Sequence, residues 1–369
     1  MGLDAQYGPL VTPAGGWPDR RFEALLGSRL PIIQAPMAGA GGVDLAIAAI
    51  RGGAVGSLPC AMLGAHEVRA QAAEVRSSAA GPLNLNFFCH AIPEATDDCT
   101  WRALLAPFRA RYGVEDRQEP GPSRRPFDAL MCDAVEAIRP ELVSFHFGLP
   151  EPALLERVRA TGAKVLASAT TISEARWLAG RGVDAVIAQG WEAGGHAGRF
   201  LGEPPEERMG LIALLPQIAD AVPMPVVAAG GIADGRGIAA ALTLGAAAVQ
   251  IGTAYLHCPE STIGEAHRAA LGSDAAEHGV FTNLFTGGLA RGLRTDPMDA
   301  LGPVRAEAPP FPLAAAALQP LAKAAAGRGE PGFRPMWAGQ AARLGKPIAA
   351  RALTKRLASD ALARLAGRA

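Results

Sequence analysis

The 369-residue sequence predicts an α/β fold, a (β/α)₈ barrel of the TIM type carrying a helical insertion and a helical C-terminal appendage. Eight short apolar runs recur along the chain, and Ala-rich stretches with helical spacing separate them. The runs are continuously apolar rather than alternating, as expected of parallel strands covered by helices. Glycine clusters mark several points where a run gives way to a helix. Repeating βα units in this number favour a closed barrel over an open doubly wound sheet. An open dinucleotide-binding sheet would set GxGxxG directly after a strand, with an acidic residue about twenty positions later. Neither glycine-clustered turn fits that pattern cleanly.

The strand runs fall near 31–38 (PIIQAPMA), 54–61, 82–89, 142–148, 164–171, 185–191, 225–231 and 248–255. Helices are expected at 43–52, 64–77, 127–138, 151–161, 173–181, 208–221 and 235–244. Two stretches break the rhythm: residues 90–126, and those after about 257, which carry helices, the turn Phe285–Gly292 and a Pro/Ala linker at 302–316. Residues 90–126 separate the third and fourth strands with a helical segment and the loop EPGPSRRP. The chain therefore divides into a barrel at 20–257 with its insertion near 90–126, and a helical extension at 258–369 that packs on the barrel and covers part of its mouth.

Composition narrows the class. Lys and Arg total 35 and Asp and Glu total 35, so no whole-chain field favours nucleic acid or an anionic membrane. Five scattered cysteines without a CxxC pair argue against a disulfide framework and against a zinc site, and no metal is expected. The first residues lack the basic and apolar regions of a signal peptide, and no apolar run reaches membrane-spanning length. The expectation is a cytoplasmic enzyme of small molecules, with a homodimer as an allowed assembly.

In such a barrel the chemistry gathers at the C-terminal ends of the strands, and phosphate commonly binds after the seventh and eighth. The seventh run ends in Ala228-Ala-Gly230-Gly231-Ile-Ala-Asp-Gly235 and enters a helix directly. Glycine N–H groups can close around phosphate oxygens there, aided by the helix N-terminus. The eighth ends in Gln250-Ile251-Gly252-Thr253, a second glycine turn with a hydroxyl. One Gly-Gly pair alone reads as a tight turn; two such turns on consecutive strands point to phosphate.

The sixth run opens into Gln189-Gly-Trp-Glu-Ala-Gly194-Gly-His196-Ala-Gly. Glycines around His196 predict a flexible, exposed backbone, and histidine is the side chain best suited to exchange protons near neutral pH. A lone loop histidine is more often structural, but this one lies at the functional face beside the glycine turns. Of the others, only His146, ending the fourth run, is placed to line the pocket. The first run ends in Gln34-Ala-Pro36-Met37, where Pro36 stiffens the turn and Met37 can pack on a flat ring. Asn86, ending the third, can donate and accept hydrogen bonds at a flavin edge.

Together these blocks resemble the nitronate monooxygenases, formerly called 2-nitropropane dioxygenases. The matching segments are PIIQAPMAGAGG (31–42), NLNFFCH (84–90), QGWEAGGHAG (189–198), AAGGIADGRG (228–237), AVQIGTAYL (248–256), FTGGLARGL (285–293) and PMWAGQ (335–340). The resemblance implies non-covalent FMN, no metal, and oxidation of alkyl nitronates by O₂ to a carbonyl compound and nitrite without NAD(P)H. It matches His196 to the family's catalytic base, and Asn86, Gln189, Gly194, Gly231 and Gln250–Thr253 to its FMN contacts. Departures sit on the substrate side: Ala197 follows the histidine where relatives often have Arg, Thr286-Gly-Gly-Leu-Ala-Arg replaces Gly-Arg-Pro-Ala-Arg, and Trp191 lies close to the base. The competing enzymes are an FMN-dependent enoyl-acyl-carrier-protein reductase and an NAD(P)H:quinone reductase, which share the barrel; a flavin-binding protein without catalysis is the alternative from another class.

Overall fold

Apolar runs long enough for one pass across a barrel wall form the strands, and the Gly- and Pro-marked turns end them. A computed structural model describes residues 16–94, 97–116, 124–202, 208–330 and 332–367. Its strands are β1 (Ile32–Gln34), β2 (Gly56–Pro59), β3 (Leu83–Phe88), β4 (Leu142–His146), β5 (Lys164–Ala169), β6 (Ala185–Gln189), β7 (Gly195–His196), β8 (Val226–Ala229), β9 (Ala248–Ile251), β10 (Gly279–Thr282) and β11 (Ala290–Leu293). Eight of these pair in parallel in the order β1-β9-β8-β6-β5-β4-β3-β2. The two edges meet: Gln34 N–H donates to the Val55 carbonyl and Val55 N–H to the Ile32 carbonyl, each at 2.9 Å. The sheet is therefore a closed barrel, and each helix predicted between strands is present within three residues.

Side chains facing the barrel axis, among them Ile33, Val55, Leu142, Leu166, Ile187 and Val227, form a small inner core. A larger core lies between strands and helices. The helix Ala350–Leu365 belongs to it, packing on both Val43–Gly52 and Gly235–Thr243 and so completing the helical ring. Two glycines permit this contact: a Cβ on Gly52 would lie 2.6 Å from Thr354, and one on Gly235 would lie 2.5 Å from Asp360. Burying this helix face against two neighbours stabilises it far more than its intrinsic propensity does.

The insertion helix Cys99–Tyr112 and the segment after β9 build a core of their own. Trp101, Leu105 and Tyr112 pack with Phe285, Met298, Leu318, Leu321 and Phe333. Sequence patterning made this later segment helical, yet it also contains a β-hairpin. The segment 285–292, expected as a turn, supplies the end of the loop between β10 and β11 and all of β11 but its last residue. Among the described residues no helix is long and apolar enough to cross a membrane, and all five cysteines are free thiols.

Candidate active site

His196 does not sit on a flexible loop. It lies in β7, which pairs antiparallel with β11 through Ala290 opposite His196 and Arg291 opposite Gly195. Ala197 N–H continues the pairing to the Leu289 carbonyl at 3.0 Å. Partners on the barrel side fix it further. Gln189 Nε2 donates to the His196 carbonyl at 2.9 Å, while Gln189 Oε1 accepts from Gly198 N–H at 2.8 Å. His146 Nε2 donates to the same carbonyl at 3.1 Å, so its Nδ1 accepts from Ser168 Oγ at 3.1 Å. The expected flexible, exposed histidine is thus a partly buried one, held from both sides. Its strand partner lies far away in sequence, out of reach of local pattern reading.

The imidazole of His196 is boxed by rings. Centroids of Phe311, Trp337, Phe147 and Phe88 lie 5.0, 5.5, 6.1 and 6.3 Å from it. Its Nε2 is 2.9 Å from Thr286 Oγ1, a hydroxyl on a residue only 1% exposed. Gly288 N–H donates to that oxygen at 3.3 Å, and the Gly288 carbonyl is also within 3.3 Å of it. Thr286 can therefore donate to a bare Nε2 or accept from a protonated one. Burial, reinforced by the positive charge of Arg124 and by His146 and His90, drives the His196 pKa well below the ordinary histidine value. The ring is therefore held in its neutral form. Phe147 holds a positive φ of 67° immediately after β4, strain of the kind that collects at functional sites.

The remaining predicted residues gather at the same barrel mouth. Met37 lies at the exit of β1 after the half-buried Pro36; a Cβ on Gly252 would lie 3.6 Å from its sulfur. Gly230 and Gly231 both have positive φ, 115° and 68°, conformations that other residues rarely adopt. Asp234 caps the following helix, accepting from Arg236 and Gly237 N–H at 2.9 and 3.4 Å. That carboxylate occupies the helix terminus, so the turn's attraction for phosphate rests on the glycines more than the sequence implied. Gln250 Oε1 is buried without a hydrogen-bond partner. Asn86 is buried, its amide donating to Ser144 Oγ at 2.9 Å, and Ile251 lies in the core with its carbonyl accepting from Ala35 N–H.

A strap at 335–340 joins the glycine turns to the histidine. Thr253 Oγ1 accepts from Gly339 N–H at 2.9 Å, the Glu192 carbonyl accepts from Gln340 N–H at 3.0 Å, and Trp337 reaches the His196 ring. Gly194 is needed where the strap crosses: a Cβ there would lie 2.5 Å from both the Ala338 carbonyl carbon and the Gly339 nitrogen. Thr286, Trp337 and Phe88 fall in family-like blocks, but their local sequence gives none of them a role, and Phe147 and Phe311 carry no sequence signal at all. Only their clustering in space marks them.

Comparison with known proteins agrees with this layout. The family model for nitronate monooxygenase matches residues 20–360. A nitronate monooxygenase from Paraburkholderia phytofirmans is 41% identical over 344 residues, covering 92% of this chain and 94% of that protein. Among solved structures, nitroalkane oxidase from Streptomyces ansochromogenes superposes with a TM-score of 0.85 at 36% identity, covering 94% and 98% of the two chains. FabK from Thermotoga maritima superposes with a TM-score of 0.70 at 25% identity, covering 95% and 99%. A (β/α)₈ barrel, a family match over nearly the whole chain and 41% identity to a curated member place this protein in the nitronate monooxygenase family, a group of flavin-dependent oxidoreductases.

Proposed function

We propose that this chain oxidises alkyl nitronates with O₂ to a carbonyl compound and nitrite, using non-covalent FMN and His196 as the base. The observation carrying this reading is the neutral His196 imidazole, oriented by Thr286 and boxed by aromatic rings beside the glycine turns. In this reading residues 20–257 hold FMN in the cytoplasmic enzyme, and residues 258–369 contribute Thr286, Phe311 and Trp337 to the substrate side.

The residues present fit a flavin. Gly230 and Gly231 give the turn after β8 the positive-φ backbone that can present N–H groups to a phosphate, Gly194 lets the strap lie close, and Met37 offers a soft surface beside Gly252. Gln250 Oε1 is a buried acceptor awaiting a donor, which a flavin N–H or ribityl hydroxyl provides. Pro36, Asn86, Gln189, Ile251 and Thr253 complete the wall, Asn86 and Gln189 chiefly by holding backbone in place. Bound flavin supplies the redox chemistry, and the protein supplies orientation and proton handling. His196 accepts an α-proton from a neutral nitroalkane, or donates a hydrogen bond to a bound nitronate. Thr286 holds the ring in either role, and the surrounding rings exclude water.

Anaerobic mixing tests the reading. The flavin of the wild-type holoenzyme should bleach with an alkyl nitronate and stay oxidised with NADPH. Rapid bleaching by NADPH would transfer the enzyme to the reductases of the same barrel. His196→Gln should keep its flavin while kcat/KM for the nitronate falls by about 10²–10⁴, the usual contribution of a positioned acid–base group.

A further inference from the structure

The insertion ends beside the site. Phe127 N–H donates to the Phe88 carbonyl at 2.7 Å, and the Phe127 ring packs on Phe87 and Phe145 with centroids 4.8 and 5.3 Å apart. These contacts pin the segment from Arg124 to Phe127 along the exit of β3. His90 lies two residues past the end of β3 and is only 9% exposed. Its ring lies 4.8 Å from Phe311 and 6.2 Å from Phe147, two of the rings that box His196. The Arg124 backbone adjoins the His90 ring, yet neither ring nitrogen makes a hydrogen bond of normal geometry. Burial pushes His90 down to about 4, so it stays neutral and keeps one N–H to donate.

Arg124 is the complementary group. Its side chain is partly buried, and burial alone lowers its pKa, with no acidic neighbour among the described residues opposing the fall. Its charge acts on both His90 and His196. A desolvated guanidinium without a counter-ion is costly unless a ligand supplies one. Every histidine near it is held neutral, so Arg124 carries the positive charge of this corner.

We propose that Arg124 and His90 form an oxyanion-binding pair that holds the anionic oxygens of the substrate beside His196. The inference deepens the nitronate reading and rests on it for the identity of the substrate. A nitronate spreads one charge over two coplanar oxygens. A guanidinium fork matches that plane as a compact ammonium does not. Phe88, Phe147 and Phe311 displace water around the pair, which strengthens the attraction.

Nitrate, a planar oxyanion, is the probe: it is titrated into the holoenzyme and followed through the flavin absorbance. Arg124→Gln should weaken nitrate binding about tenfold or more and raise KM for an alkyl nitronate similarly, with kcat within about threefold. Arg124→Lys, which keeps the charge and loses the fork, should recover only part of the binding, and His90→Gln, which leaves Arg124 in place, should weaken it about threefold. Nitrate binding that is absent in the wild type, or equal in wild type and Arg124→Gln, overturns the pair. Should Arg124→Gln shed its flavin, unchanged nitrate affinity in both Arg124→Lys and His90→Gln overturns it instead. A wild type that binds nitrate through Arg124 but does not turn over nitronates would sink the functional reading and leave the pair standing.

Discussion

Thr286 decides what His196 can do. Its hydroxyl meets Nε2 at 2.9 Å while Gly288 engages the same oxygen, so one small side chain fixes the rotation of the ring and can serve Nε2 whether or not it carries a proton. Thr286→Val keeps the shape and removes the hydrogen bond. We expect kcat/KM for a nitronate to fall about tenfold, near the worth of one hydrogen bond, with flavin content unchanged and Thr286→Ser restoring activity. The acid limb of the pH profile should move in Thr286→Val as well, which a purely structural role would not produce. In the wild type that limb should lie below the ordinary histidine range, because burial and Arg124 favour the neutral ring.

At the scale of elements, the sequence disclosed strands and helices well because continuous apolar runs and helical spacing are local signals. His196 stood out for the same reason: it is a histidine among glycines just past β6. Its conformation was not, since β11 reaches His196 from the other side of the molecule. The hairpin of β10 and β11 escaped notice too, because a glycine-rich block reads as a turn until a partner strand is present. The strap at 335–340 depends on equally remote contacts. Gly194→Ala should show how closely it fits: the added Cβ strikes the strap backbone, so the strap must shift. Overpacking of this kind costs roughly 1–3 kcal/mol. We expect a lower Tm together with weaker FMN retention, and a variant matching wild type in both would remove the strap from the site.

Across the whole molecule, burial of neutral histidines ties stability to pH. Burial lowers His90, His146 and His267 to about 4, and His196 and His257 also lie below their ordinary value. The unfolded chain then binds more protons than the folded one as pH falls below about 6.5, the unfolded value. Stability from these groups is complete above that pH and is lost progressively down to about 4. Every tenfold loss of proton affinity on folding is worth about 1.4 kcal/mol, so several such rings together are comparable with the whole net stability of a typical fold. Tm recorded from pH 7.5 to pH 4.5 should hold steady in the upper part and drop steeply below about 6. A flat profile would mean that these rings are far more hydrated in solution than their packing indicates.

The pairing of β7 with β11 has a temporal consequence. A ribosome delivers β6 and the histidine well before it delivers the strand that aligns them, and the helix Ala350–Leu365 that closes the ring comes later still. A nascent chain can hold all eight barrel strands and yet lack an oriented His196. The geometry around His196 is therefore completed late in synthesis, and a chain interrupted before β11 would carry the histidine without the strand that aligns it.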